Sequence, residues 1–294
     1  MFYIIVNALH LRRKGMKKLN DVKAVFERAG KPYEVLFTRK KGDAKNFAQG
    51  VTSRGEECTV AVMGGDGTLH EVINGFKDFE KCRLGLIPFG TGNDFAEGAG
   101  LPLNHVKAAE IIANGTPRPI DFIELESGLR SINSVGMGID VDVLKRTYAG
   151  KSRGKGKYLK ALISSLIHFE SKKFTVKYDG KEETHLGLIA AVGNGRQFGG
   201  GIKIFPDAKI DDGYMDIIIV DYISKIKIPA AFIKLMRGKV DKVKKVTIVK
   251  TKAAEFVSED AEFTIQAEGE LYENLPINAH IVAGQLKFYL PESK

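Results

Sequence analysis

Short runs of apolar, β-prone residues alternate with amphipathic stretches through the first 120 residues. Runs at 2–6, 33–37, 58–63 and 84–87 are each bounded by turn-forming residues and read as buried strands. Between the first two, Leu19, Val22, Val25, Phe26 and Ala29 recur at helical spacing over 16–29, and Gly30 and Pro32 stop that helix. Asp43 is placed to cap a second helix, a third opens at 68–76 and a fourth covers 105–114. Strand and helix in alternation predict a mainly parallel, Rossmann-like sheet with helices on both faces.

The pattern changes after Pro119. Strand-like runs then dominate, at 120–125, 174–178, 185–192, 215–221, 246–249, 263–267, 277–282 and 286–290, with helical stretches near 158–169 and 229–237. The expected organisation is an α/β domain over 1–120 followed by a mostly antiparallel β-sandwich over 121–294. The last residues of the second domain are free to pack back on the first. No internal repeat is visible.

Composition narrows the class. The 294 residues are 44% hydrophobic and 28% charged, enough apolar mass for two cores and no sign of a disordered or fibrous chain. The 2–6 run is too short for a signal peptide or a membrane span, which predicts a cytoplasmic protein. Cys58 and Cys82 form no CxxC pair and are expected to be reduced core thiols. A net charge of +9 favours anionic partners: nucleic acid, an acidic membrane surface or a phosphorylated substrate.

Residues 58–76 read CTVAVMGGDGTLHEVINGF. An apolar strand runs into Gly64-Gly65-Asp66-Gly67-Thr68 and a helix starts at once, which makes an anion site of close backbone, outward N–H groups and a helix dipole. A carboxylate beside phosphates repels them, so Asp66 makes sense as a Mg²⁺ partner or a proton acceptor. The turn is neither a Walker A loop nor a dinucleotide fingerprint. Residues 84–96, LGLIPFGTGNDFA, place a second polar glycine loop, with Gly90, Thr91 and Asn93, after the next strand. Loops at the carboxyl ends of neighbouring strands share a crevice.

These two motifs resemble signatures of the diacylglycerol kinase catalytic-domain family, which includes sphingosine kinases and bacterial soluble lipid kinases. The resemblance continues through SVGMGIDVDV (134–143), AVGNGRQFGGG (191–201), PDAKIDDGYMD (206–216) and QAEGE (266–270), covering nearly the whole chain. It implies an NAD kinase/diacylglycerol kinase-like fold and transfer of the γ-phosphate of ATP to a lipid hydroxyl, with diacylglycerol the first choice of acceptor. Undecaprenol, a sphingoid base or phosphatidylglycerol are the other acceptors to weigh. An NAD-kinase-like small-molecule kinase and a non-catalytic nucleotide- or lipid-binding protein are the rival readings.

The resemblance also implies roles for residues. Gly64, Gly65, Gly67, Thr68 and Leu69 hold the ATP phosphates, Gly90, Thr91 and Asn93 belong to the same nucleotide site, and Asn7 and Thr38 face the nucleotide. Glu270 or Asp66 is the general base, with Asp66 beside catalytic Mg²⁺. Asp211, the Tyr214 carbonyl and Asp216 match ligands of a structural Mg²⁺. Family members usually follow the first strand with Asn-Pro and a glycine-serine loop. Residues 7–15 read NALHLRRKG instead, where Arg12, Arg13 and Lys14 offer charge in place of backbone contacts.

Basic residues cluster. Residues 145–160 hold seven Lys or Arg and no acid, and 225–252 hold ten against Asp241 alone. Such one-sided runs suit an anionic membrane surface, each charge contributing about 1 kcal/mol near the headgroups, so peripheral membrane association is expected. Nucleic acid is set aside because no binding module accompanies the charge. The apolar positions Leu159, Leu162, Ile163, Leu166, Ile167 and Phe169 suit an acyl pocket or a core helix. A homodimer is compatible with the sequence.

Overall fold

The structure, a computed structural model, describes residues 1–11, 13–149, 155–260 and 263–292. Arg12, and Lys151 and Arg153 of the first basic run, lie outside the described residues. The chain forms two compact units, one of residues 1–120 with the C-terminal stretch from Gly284, the other of Asp121–Ala283.

In the first unit, strands β1 (Phe2–Asn7), β2 (Tyr33–Thr38), β3 (Cys58–Gly64) and β4 (Cys82–Pro88) alternate with helices α1 (Arg13–Arg28), α2 (Asp43–Thr52), α3 (Asp66–Gly75), α4 (Asp94–Gly98) and α5 (His105–Asn114). The strands are parallel in the order β4-β3-β1-β2. Every residue of β3 is buried, as a central strand covered on both faces requires. Ile4, Val6, Ala61 and Met63 pack against Leu19, Val22 and Phe26 of α1 and Ala109 and Ile112 of α5. Behind α3 only a glycine fits at 75, because a Cβ there would lie 2.1 Å from the Lys45 carbonyl oxygen. Cys58 and Cys82 are free, buried thiols in register on β3 and β4, with 3.1 Å between their Sγ atoms.

The second unit holds β5 (Arg118–Leu125), β6 (Arg130–Ser131), β7 (Ser134–Gly138), α6 (Ile139–Ala149), α7 (Lys155–His168), β8 (Lys172–Tyr178), β9 (Lys181–Gly193), β10 (Met215–Asp221), α8 (Ile228–Met236), β11 (Val246–Thr251), β12 (Ala253–Ser258), β13 (Thr264–Ala267), β14 (Glu270–Glu273) and β15 (Ile277–Phe288). Its β7–β15 pairings are antiparallel. The long β9 pairs first with β8, then runs between β7 and β10, and so belongs to both layers of a sandwich. Alternation divides the side chains of β9 and β10. Ala190, Val192, Ile217 and Ile219 enter the inter-sheet core, whereas Ile189, Ala191 and Ile218 face a second cluster with Val143 of α6 and Leu162 of α7.

The α/β unit and the mostly antiparallel sandwich are those the periodicity predicts. Within the second unit the structure adds α6, β6, β7, β12 and β14, and it joins 277–282 and 286–290 into one strand, β15. Ser134–Gly138 is too glycine-rich to read as a strand in isolation and is held in one by β9 and β13 on its two sides. Strand 15 leaves the sandwich, where Ile277 pairs with Phe256, and ends with Phe288 pairing in parallel with Leu84 of β4.

Candidate active site

β3 and β4 end together, Gly64 opposite Pro88, so both glycine loops leave the same edge of the sheet. A Cβ on Gly64 would lie 2.6 Å from Thr68 Cβ, and one on Gly90 would lie 2.5 Å from Gly65 Cα. The loops therefore touch backbone to backbone, and side chains are excluded by contact. The Gly65 carbonyl accepts from the Thr68 and Leu69 amides at 3.0 Å. That leaves the Asp66 and Gly67 amides, in the first turn of α3, with no protein acceptor among the described residues. An open helix start of this kind is positively polarised and suits a phosphate. Leu69, at the end of the expected contact range, is a core side chain with no exposed surface.

The second loop is closed by Asn93, whose Oδ1 accepts from the Gly90 amide at 2.9 Å while its Nδ2 donates to the Gly90 carbonyl at 3.0 Å. Its backbone is left-handed, φ 58°, a conformation asparagine tolerates better than most residues. Thr91 is exposed. Asp66 ties the loops together, since its carboxylate accepts from the amides of Asp94 and Phe95, each at 3.1 Å, and so caps α4. Asp94, to which the sequence assigned no role, is buried. Its Oδ2 and that of Asp66 lie 3.6 and 3.0 Å from the point a Cβ on Gly92 would occupy. Two carboxylates converging on bare backbone are a donor set that fits Mg²⁺.

Asn7 and Thr38 are paired across β1 and β2 at the same edge. Asn7 Nδ2 donates to Thr68 Oγ1 at 3.1 Å, and its Oδ1 accepts from the Leu9 amide, starting a 3₁₀ turn over Ala8–His10. Asn7 thus braces the glycine turn without the usual proline. Arg13 and Lys14 are exposed at the start of α1. Lys18 adds a cation that the sequence did not single out, with its Nζ 5.5 Å from the centroid of Phe89, the residue before Gly90. Glu71, inside the first signature, accepts from the Gly42 and Ala44 amides and caps α2, which is a structural duty.

His70 is buried against α2, and Asn74 Nδ2 approaches its Nδ1 at 3.3 Å. Burial pushes its imidazole down from 6.5 to about 4, the charges of Lys41 and Lys45 acting in the same direction. The folded value lies below the unfolded one, so between them the unfolded chain binds the extra proton. The stabilisation is complete above pH 6.5 and is lost as pH falls toward 4, about 3 kcal/mol in all. Urea unfolding of the wild type should weaken by this amount across that window. His70→Gln should lack that part of the slope.

In the second unit Glu270 opens β14. Ala267 pairs with Glu270 across a two-residue turn, Glu268-Gly269, with φ 53° and 80°. This is a primed turn, in which glycine meets the second positive φ at no cost. The Glu268 carboxylate accepts from Ser131 Oγ at 2.5 Å and the Asn133 amide at 2.6 Å, and the Tyr148 hydroxyl donates to the Gly269 carbonyl. Of the two glutamates in E-G-E, the first therefore anchors the hairpin, and the second is half-buried at the start of β14. Burial, and then the negative charge of Glu270, push the Tyr148 phenol up.

The D-D-G turn is different from the expectation. Asp216 is buried, Asp211 is exposed, and the Gly213 amide donates to Asp121 Oδ2 at 2.7 Å. The Lys250 ammonium lies 2.7 Å from Asp212 Oδ2 and 3.4 Å from Asp216 Oδ2. The Lys250 ammonium already sits at this turn between Asp212 and Asp216, which disfavours a structural Mg²⁺ bound by Asp211, Tyr214 and Asp216, and no step is routed through one. Lys250→Met should lower the unfolding temperature by removing the cation beside Asp212 and Asp216, at a cost of about 1–2 kcal/mol because the lysine is part-exposed. Added Mg²⁺ should recover part of that loss in the variant and nothing in the wild type. An equal gain in both proteins would restore the metal.

Two touching glycine loops on a parallel sheet, followed by a mostly antiparallel β-sandwich, define a two-domain protein with a phosphate-binding edge. Comparison with known proteins makes this specific. The model of the diacylglycerol kinase catalytic domain matches residues 1–125, and that of the YegS C-terminal NAD kinase beta sandwich-like domain matches 133–290. A "Probable lipid kinase YegS-like" of Xanthomonas campestris pv. campestris is 30% identical over 93% of this chain and 91% of its own. A "Diacylglycerol kinase" of Staphylococcus carnosus is 28% identical over 98% and 94%. Among solved structures, a diacylglycerol kinase from Bacillus anthracis superposes with a TM-score of 0.75 at 24% identity over 99% of this chain and 96% of that one. An Archaeoglobus fulgidus NAD kinase in complex with ATP shares the fold, with a TM-score of 0.53 at 11% identity, over 98% and 93%. The chain belongs to the lipid kinase family of YegS-like proteins and diacylglycerol kinases.

Proposed function

We propose that the protein transfers the γ-phosphate of ATP to the hydroxyl of diacylglycerol, giving phosphatidic acid and ADP. The glycine turn and the open amides of Asp66 and Gly67 bind the phosphates, with Asn7, Thr38 and the Gly90–Asn93 loop completing the nucleotide site. Asp66 and Asp94 would hold the Mg²⁺ that accompanies ATP, which neutralises charge on the phosphates. Glu270 takes the proton of the lipid hydroxyl as its oxygen bonds to the γ-phosphorus and the bond to ADP breaks. Phosphoryl transfer asks mainly for positioning and charge neutralisation. Asp66 is the weaker candidate for base, because both of its oxygens already accept backbone N–H groups.

The observation that carries the lipid reading is an apolar cleft in the second unit. Its lining includes Leu162, Leu166, Phe198 and Phe232 and is apolar except for Asp140. A dinucleotide acceptor would need several polar partners there, whereas an acyl chain needs none. Leu162 and Leu166 are two of the positions expected to line an acyl pocket. Ile163 and Ile167 are instead exposed, and the Leu159 side chain lies outside the described residues. Asp140 is buried, and burial pushes its carboxyl up to about 7 although the Val141 amide and Gln266 act to lower it. Such a group suits the polar end of the lipid.

Labelled ATP with Mg²⁺ and mixed micelles, followed by thin-layer separation, tests the proposal. Diacylglycerol should be labelled in preference to undecaprenol, a sphingoid base or phosphatidylglycerol. Label appearing in NAD and in no lipid would overturn the reading.

A further inference from the structure

Helix α8 is apolar on two faces. Ile228, Ala231, Phe232 and Leu235, at helical spacing, line the cleft. On the opposite side Pro229, Ala230 and Ile233 continue the stripe begun by Ile226, and all four are exposed, Ile226 at 91% and Ile233 at 51%. A helix at a protein–water boundary ordinarily carries polar residues on its outer face. Beside it, Tyr222 and Leu186 are 53% and 57% exposed and joined by a hydrogen bond from the Tyr222 amide to the Leu186 carbonyl. Exposed apolar surface of this kind marks an interaction site.

Its occupant is indicated by charge. Residues 222–240 hold five Lys or Arg and no Asp or Glu. Lys227, Lys234, Arg237 and Lys239 are exposed around the stripe. An apolar stripe rimmed by cations is the pattern of a helix lying in the interface of an anionic bilayer, with its apolar residues among the acyl chains and its lysines at the headgroups. A second copy of the chain is disfavoured as occupant, because a two-fold contact would bring this cationic segment against itself.

We infer that the outer face of α8, with Ile226, Ile233 and Tyr222, is the surface by which the protein docks on anionic phospholipid membranes. The inference rests on the lipid-kinase reading only for its purpose. No helix among the described residues is long and apolar enough to cross a membrane, so this attachment would be peripheral.

The test is co-sedimentation of the purified full chain with vesicles. The wild type should bind phosphatidylglycerol-rich vesicles, bind pure phosphatidylcholine weakly, and lose binding as salt rises. The double variant Ile226→Asp, Ile233→Asp should bind the anionic vesicles on the order of tenfold less or weaker. The same variant should phosphorylate a short-chain, water-soluble diacylglycerol at the wild-type rate but a long-chain one in vesicles more slowly, which also shows that it is folded. Wild-type binding by the variant, or no binding by the wild type, would overturn the inference. So would a wild-type dimer that the variant converts to monomer, because the face would then be a self-contact. Failure of the lipid-kinase reading would look different: vesicle binding retained, with no turnover of the soluble acceptor.

Discussion

Glu270→Gln is expected to lower kcat by about 10²–10⁴-fold, the usual contribution of a general base, with little change in unfolding temperature or in KM for ATP. The substitution keeps shape and hydrogen-bonding length and removes only the basic carboxylate. The fold should tolerate it because Glu270 contributes to the hairpin through its backbone pairing with Ala267, while the anchoring is done by Glu268. The paired variant Glu268→Gln makes the contrast. It weakens charge-assisted bonds to Ser131 and the Asn133 amide, so it should lower stability by about 1–3 kcal/mol. Steady-state kinetics and thermal unfolding of both variants separate the two roles. A Glu270→Gln enzyme that turned over at the wild-type rate would remove Glu270 from the mechanism and return the assignment to Asp66.

Gly90→Ala should abolish useful ATP affinity. The added methyl would sit 2.5 Å from Gly65 Cα and 2.9 Å from Asn93 Oδ1. The first neighbour is backbone and cannot rotate away, so the two loops must separate. Separation moves Asp66 off the Asp94 and Phe95 amides and displaces the open amides from the phosphates. The stability cost should be that of overpacking, about 1–3 kcal/mol, and the KM for ATP should rise by more than that cost explains. Gly50→Ala is the control, since nothing lies within 4 Å of a Cβ there. On α2 it should stabilise by about 1 kcal/mol and leave kinetics unchanged. Normal ATP binding by Gly90→Ala would mean that loop contact is not what forms the phosphate site.

The part of the fold legible in the sequence was the part with a strong local period. Strands β1 to β4 are nearly continuous apolar runs, and α1 carries Leu19, Val22, Val25 and Phe26 on one face, so both types could be read off directly. The second unit was harder. Strands β7 and β14 are only five and four residues long, and α6 interrupts its apolar positions with Asp140 and Asp142. Their identity comes from neighbours across the sheet, which local sequence does not encode.

The two glycine motifs are dense, but their residues do different kinds of work. Gly75 and Glu71 lie inside the first signature, yet one is held by the closeness of Lys45 and the other by capping α2. The sequence alone determined that an anion-binding turn follows β3 and that a second polar loop follows β4, because glycine, aspartate and chain order suffice to say so. Only the tertiary structure decided which groups meet. It put Asp94 beside Asp66, committed Asp66 to capping α4, made Glu268 an anchor, and placed Lys250 at the D-D-G turn. These are contacts between residues 28 to 137 positions apart. A hydrogen bond or ion pair acts across a few ångströms of space, whereas sequence patterns report only the neighbours along the chain.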